Sequence, residues 1–264
     1  MIATQTHVKQ CLRSALVFAT IIISYCALGQ DTQLVLGQQP VFSVHKAQTA
    51  LVIDGRKDET DWERAMSRRL EYFYRVDQPS DQQNTTFRML WDEENLYVFF
   101  ELEDQYLTVR ETERDGQPYF DDCAEIFLIP APDSLDTHFG FELNLNLASN
   151  DFVYFNDYYE GSDAVLFAFN PEFQAAITYD GTINNNQDTD QGWTLEMAIP
   201  LDIFRSLSQE APPVAGTQWA FLAVRQDRND NTGNRRSTST LFPIYDISKN
   251  VHQVNRFGLM EFVE

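Results

Sequence analysis

Thr86-Phe87-Arg88-Met89-Leu90-Trp91 and Leu96-Tyr97-Val98-Phe99-Phe100, joined by Asp92-Glu93-Glu94-Asn95, decide the fold class. Large apolar side chains alternate along the first run and crowd the second, which is the patterning of strands. The polar quartet between them suits a tight turn, so the stretch reads as a β-hairpin. Similar runs recur at 124–129, 139–147, 152–155, 173–179, 193–199, 219–224 and 257–262, separated by polar turns such as 130–136 and 184–191. Only 61–66 and 201–207 look helical, and both are short. This pattern predicts an all-β fold, an antiparallel, jelly-roll-like β-sandwich with one or two short helices.

The start of the chain is different. Lys9 and Arg13 precede an apolar run at 15–23, and Ala27-Leu28-Gly29 offers small residues for a signal peptidase. That is the form of a secretory signal peptide over 1–29, cleaved after Gly29. The run is about half of the roughly 20 residues a spanning helix needs. Ile23-Ser24-Tyr25-Cys26 resembles a lipidation site only loosely, because Tyr25 is bulky. The expected product is secreted or periplasmic, with a polar linker at 30–40 and one domain over 41–264. Cleavage removes Cys11 and Cys26, leaving Cys123 without an internal disulfide partner.

The 264 residues carry 20 Phe, 11 Tyr and a formal charge of −21, which suits an aromatic core and a solvated acidic surface. Such a surface repels phosphate backbones and excludes nucleic-acid binding.

Five separated segments resemble the family 9 carbohydrate-binding modules. Ile53-Asp54-Gly55-Arg56-Lys57-Asp58-Glu59-Thr60-Asp61-Trp62-Glu63-Arg64-Ala65 is similar to that family's opening. Leu90-Trp91-Asp92-Glu93-Glu94-Asn95-Leu96-Tyr97-Val98 is like its hairpin, and Pro118-Tyr119-Phe120-Asp121-Asp122-Cys123-Ala124-Glu125-Ile126-Phe127 like its D-x-x-E segment. Gly192-Trp193-Thr194-Leu195-Glu196-Met197-Ala198-Ile199-Pro200 and the closing Phe257-Gly258 follow in family order. Read without the family, the four tryptophans are structural. Trp62, followed by Ala65, would plug one end of the sandwich; Trp91 and Tyr97 would pack across their turn; Trp193 and Trp219 would face the core.

The resemblance implies a sugar-binding slot walled by Tyr119, where the family has Trp, with Glu125 accepting hydrogen bonds from hydroxyls. Asp122 of the same motif joins the ligand-binding set, although Asp122 and Glu125 could equally organise a loop and a strand end. Glu142 stands where the family carries a ligand-contacting Arg, and the opposing Trp falls near Val251 and His252. His252 or Tyr245 could supply that second wall. From the residues alone, Tyr158 and Tyr159 are further platforms, and Tyr154 and Phe155 should face opposite sides of their strand. The family also implies a structural calcium, with ligands unassigned. Asp227-Arg228-Asn229-Asp230-Asn231-Thr232-Gly233 is oxygen-rich but misses the helix–loop–helix calcium register, and reads as a hairpin tip.

The expected role is carbohydrate binding in polysaccharide catabolism, alone or beside separate glycoside hydrolases, with no catalytic site of its own. The alternatives are a protein-docking module, a glycoside hydrolase accessory, a glycosidase drawing its carboxylates from Asp121, Asp122 and Glu125, or a haem sandwich using Met89 or Met197 with His138. Hydrolysis would need two carboxylates roughly 5–9.5 Å apart across a cleft.

Overall fold

The computed structural model describes residues 41–132, 137–159, 162–205, 212–232, 234–244 and 250–264, with the backbone alone at 157–159. The expected leader and linker, 1–29 and 30–40, lie outside the described residues. No described helix is long and apolar enough to cross a membrane.

In chain order the elements are β1 (Val41–Lys46), helix α1 (Asp61–Arg64), β2 (Ser67–Arg69), β3 (Tyr72–Tyr74), β4 (Thr85–Trp91) and β5 (Asn95–Glu103). There follow β6 (Cys123–Ile129), β7 (Thr137–Asn144), β8 (Ser149–Tyr159), β9 (Ser162–Leu166) and β10 (Gln174–Asp180). The last are β11 (Gly192–Pro200), β12 (Gln218–Arg228), β13 (Arg236–Thr240) and β14 (Gly258–Val263). One layer runs β10-β11-β5-β4, with β2 beside β4; the other runs β14-β12-β6-β7-β8-β9, with β13 and β3 continuing from β12. Strand β1 is the corner between them, parallel to β14 over Val41–His45 and to β4 at His45 and Lys46. This is the expected β-sandwich.

The core closes between the layers. Phe42, Phe87 and Phe221 come from β1, β4 and β12, and their ring centroids lie 5.6–6.0 Å apart. Burying each such ring contributes about 1.5–3 kcal/mol. All four tryptophans are buried, as expected of structural residues. Their positions correct two details. Trp91 enters the central core against Phe262, whereas Tyr97 lies on the opposite face of its sheet with Trp62 and Phe99. Trp91 pairs with Leu96 and Leu90 with Tyr97, so the two aromatics are offset by one residue across the turn, and alternation puts their rings on different faces. The turn is held instead by Asp92, whose Oδ1 accepts from the Glu94 and Asn95 amides and whose Oδ2 accepts from the Tyr97 hydroxyl.

The second correction concerns Trp62. It does not plug an end; helix α1 lays it on the outer face of the first layer, 5.2 Å from the Phe99 ring. Glu196 of β11 ties it there. One carboxylate oxygen accepts from the Asp54 and Gly55 amides at 3.0 and 2.9 Å, and the other from Trp62 Nε1 at 3.2 Å. Gly55 has φ +80, and a Cβ there would press on the Ile177 backbone, so only glycine fits this approach.

Candidate functional site

Strict alternation on the second layer sends Ala124, Ile126, Leu128, Phe139, Phe141 and Leu143 into the core. Their neighbours turn outward, and register lines them up. Glu125 opposes Glu142, which opposes Asn150; in the next row Phe127 opposes Gly140, which opposes Phe152; beyond the latter, His138 opposes Tyr154. Of these, Glu125, Glu142, Asn150, Phe152 and Tyr154 floor a cleft of about 540 Å³. Phe152 lies over Gly140 so closely that no Cβ fits beneath the ring.

The floor is chemically unusual. Glu125 is 1% exposed, and neither of its carboxylate oxygens has a hydrogen-bond partner among the described residues. Gln226 and Arg228 favour its ionised form from nearby, but burial outweighs them and pushes its pKa up to about 7. Glu142 is raised well above the usual carboxylate range, first by burial and then by Glu125, while Asn150 donates to it at 2.7 Å. Two carboxyls in one dry row cannot both ionise cheaply, so the pair retains a proton at neutral pH.

This has a stability consequence. A raised carboxyl pKa contributes stability that is complete below about pH 4.5 and is lost as pH rises through about 7. Glu125→Gln cannot ionise, so relative to wild type it gains stability between pH 5 and pH 8, by up to about 3 kcal/mol. Urea denaturation of both proteins at the two pH values checks this, because other titrating groups cancel in the difference.

The walls carry rings. Tyr119 and Phe120 sit on the 3-10 turn Pro118–Phe120, whose carbonyls are pinned by Arg228: Nε donates to Phe120 O at 2.8 Å and Nη2 donates to Tyr119 O. Phe120 and Phe167 are 47% and 52% exposed and offer apolar faces at the cleft. Tyr154 and His252 stack at 4.5 Å, and His138 stacks on Tyr154 at 4.8 Å. Asn250, at φ +93, brings this segment in, its Oδ1 accepting from the His252 amide.

The histidine protons follow from the network. Asn156 Nδ2 donates to His252 O, which fixes its amide, so its Oδ1 accepts from His138 Nδ1. His138 Nε2 therefore accepts from His252 Nδ1, 2.9 Å away, leaving His252 Nε2 as an acceptor. Burial keeps both rings neutral, lowering His138 to about 4 and His252 well below its ordinary value.

Tyr119, Glu125 and His252 thus converge on one cleft. Asp122 does not face it, which corrects its expected place. It precedes β6, and its two oxygens accept from the Thr108 and Arg228 amides at 2.5 and 2.6 Å. Tyr158 and Tyr159 end β8, but their side chains, like all of Tyr245, lie outside the described residues. Tyr154 faces the cleft and Phe155 packs on the core, as alternation requires. Reading the sequence missed Asn150, Phe152, Phe167, Gln226 and Arg236, and took Glu142 only as a reversed charge.

The other candidate chemistries are engaged elsewhere. Asp121 accepts from the Arg110 and Glu111 amides and from Asn144. Met89 and Met197 fill the core, while His138 lies on the outer side of its layer, so no haem axis forms. Carboxylate oxygens of Asp104, Asp122 and Asp227 lie within 4.8 Å of one another. A guanidinium already lies among them: Arg225 Nη2 is 3.1 Å from Asp104 and 3.3 Å from Asp227. With both Asp122 oxygens engaged as well, this donor set does not fit calcium. Asp230 accepts from the Thr232, Asn234 and Arg235 amides of its own turn, as a hairpin tip does.

Compared with protein-family models, residues 53–264 match the carbohydrate family 9 binding domain-like model. The chain belongs to this family. Solved structures similar to this family 9 domain include a family 9 module from Caldicellulosiruptor kristjanssonii in complex with cellotriose. It is 21% identical over 85% of this chain and 94% of that one, with a TM-score of 0.55. Another, from the same organism in complex with glucose, is 18% identical over 83% and 95%, with a TM-score of 0.54. A candidate carbohydrate-binding protein from Bacteroides uniformis is 15% identical over 85% and 99%, with a TM-score of 0.61. No curated protein matches the chain. At these identities the neighbours establish the fold of the family 9 domain.

A second groove crosses the outer face of the first layer, near Arg88, Glu101 and Tyr179. There Lys57 and Arg88 both pair with Glu101, so its charges satisfy one another.

Proposed function

We propose that this family 9 chain is an exported carbohydrate-binding protein that holds an oligosaccharide, or the end of a polysaccharide, in the Glu125–Glu142 cleft. The observation that carries this reading is the row of buried carboxyls, Glu125 beside Glu142, on a polar floor between exposed rings. A pyranose supplies both complements, with C–H faces for rings and hydroxyls for carboxyls. The sugars held by two neighbours of the same fold, cellotriose and glucose, support the choice of ligand.

Binding suits the floor better than hydrolysis does. Glu125 and Glu142 are side-by-side partners on adjacent strands. A glycosidase needs its two carboxyls on either side of the scissile bond. The role follows as delivery of substrate to separate hydrolases during carbohydrate breakdown.

Calorimetric titration with a panel of oligosaccharides tests the proposal. Tryptophan emission is a poor reporter, since all four indoles are buried away from the cleft. A ring contact contributes about 0.5–1.5 kcal/mol beyond its buried area. Tyr119→Ala is therefore expected to weaken binding about tenfold with an unchanged melting temperature. Binding unaffected by that substitution moves the site elsewhere, and no binding of any glycan overturns the proposal.

A further inference from the structure

One wall of the cleft is basic. Arg228 of β12 and Arg236 of β13 are direct cross-strand partners, and like charges placed opposite each other destabilise a sheet. Arg228 is 2% exposed, and its Nη1 is buried with no hydrogen-bond partner. Among the described residues neither guanidinium makes an ion pair. Burial and the adjacent Arg236 both oppose the charge on Arg228, partly offset by Asp122 behind it. Arg75 lines the same cleft, so three of only 19 basic residues in a chain with 40 acidic ones gather at one site.

An arginine couple with no carboxylate partner beside a ligand cleft is the arrangement that receives an anion: Arg228 spends Nε and Nη2 on the Phe120 and Tyr119 carbonyls and keeps Nη1, while the planar fork of Arg236 matches a carboxylate or sulfate with paired N–H groups. We infer that the ligand is an anionic sugar whose negative group docks on Arg228 and Arg236 while its hydroxyls meet Glu125, Glu142 and Asn150. This rests on the carbohydrate reading of the cleft and narrows its ligand class. The division of labour is physical. The carboxyl floor cannot receive an anion, so the charged group must point toward the β12–β13 wall, and that fixes the orientation of the sugar.

The test is calorimetric titration of the full chain with three sugars of equal length: a neutral gluco-oligosaccharide, a uronate oligosaccharide and a sulfated one. At least one anionic sugar should bind tenfold or more tightly than the neutral one, with a preference that shrinks as salt rises. Whether the uronate or the sulfated sugar leads identifies the anion. Arg236→Gln should reduce the anionic-to-neutral affinity ratio by about tenfold, and Arg236→Glu should reverse the preference, both with melting temperatures near wild type. Neutral sugar bound as tightly as either anionic sugar, or a ratio unmoved by both variants, overturns the inference and leaves the carbohydrate reading standing. Absence of binding by all three sugars overturns both.

Discussion

Replacing Arg225 by leucine is expected to lower the free energy of unfolding by about 3–5 kcal/mol at neutral pH, the usual cost of stripping one partner from a buried charge network. Arg225 is 1% exposed and bridges Asp104 and Asp227, with Asp122 alongside. Without it three carboxyls face one another in a site that water cannot reach. Already in the intact protein, burial and Asp227 push Asp104 up to about 7. In the variant the three carboxyls hold protons to still higher pH, so its stability falls as pH rises. The deficit against wild type should therefore be larger at pH 7.5 than at pH 5, as read by urea denaturation. Asp104→Asn in the Arg225→Leu background removes one of the stranded charges and should recover part of the loss. A deficit independent of pH would mean that lost packing, and not stranded charge, is the cause.

The second large effect is expected at Glu196. Glu196→Ala leaves the Asp54 and Gly55 amides and Trp62 Nε1 without their acceptor, all beneath helix α1. Leaving a buried donor unsatisfied costs about 1–3 kcal/mol and the effects are not additive, so a total loss of about 3–4 kcal/mol is expected. Glu196→Gln keeps one carbonyl acceptor and should lose about half as much. The near-ultraviolet circular dichroism of Trp62 should change in the alanine variant, because its indole loses the bond that orients it. Sugar affinity should not change in either, since this knot lies on the opposite layer from the cleft.

Glu196 also explains why two distant segments could be recognised together in the sequence. The Ile53-Asp54-Gly55 turn, Trp62 and the Glu196 strand are parts of one hydrogen-bonded unit, so each constrains the others. Strands were legible where a long run had an apolar face, as in β4, β5, β6 and β7, and only the β4–β5 pairing was read from its turn; β1, with just Phe42 and Val44 on its buried face, was missed. Nor was β13, Arg236-Ser237-Thr238-Ser239-Thr240, legible, since it is buried without being apolar. Its hydroxyls are paired instead: Ser237 donates to Asp81 O, Thr238 to Gln226 Oε1 and Thr240 to Phe242 O. A hydrophobic pattern cannot register a strand buried by hydrogen bonding. The short edge pieces β2, β3 and β9 escaped for a related reason, being exposed or half-buried along their length.

The cleft was half legible. Tyr119 and Glu125 came from a motif in which spacing along one segment carries the chemistry. Glu142, Asn150 and Arg236 depend on cross-strand register, which no single segment records. Asp122 was misplaced because it lies before the strand begins, where alternation does not apply and its carboxylate is free to cap backbone amides. Phe167 is one apolar residue among several in a loop, and only the fold shows it standing at the cleft.

Sugar is expected to bind on the outer face of the second layer. Amide hydrogen exchange with and without a saturating oligosaccharide tests it most directly, because bound ligand slows local opening where it sits. Slowing is expected at 118–126 and 250–254, with the first layer unchanged. Slowing confined to β4, β5 and β10, around the Lys57–Glu101 groove, would contradict it.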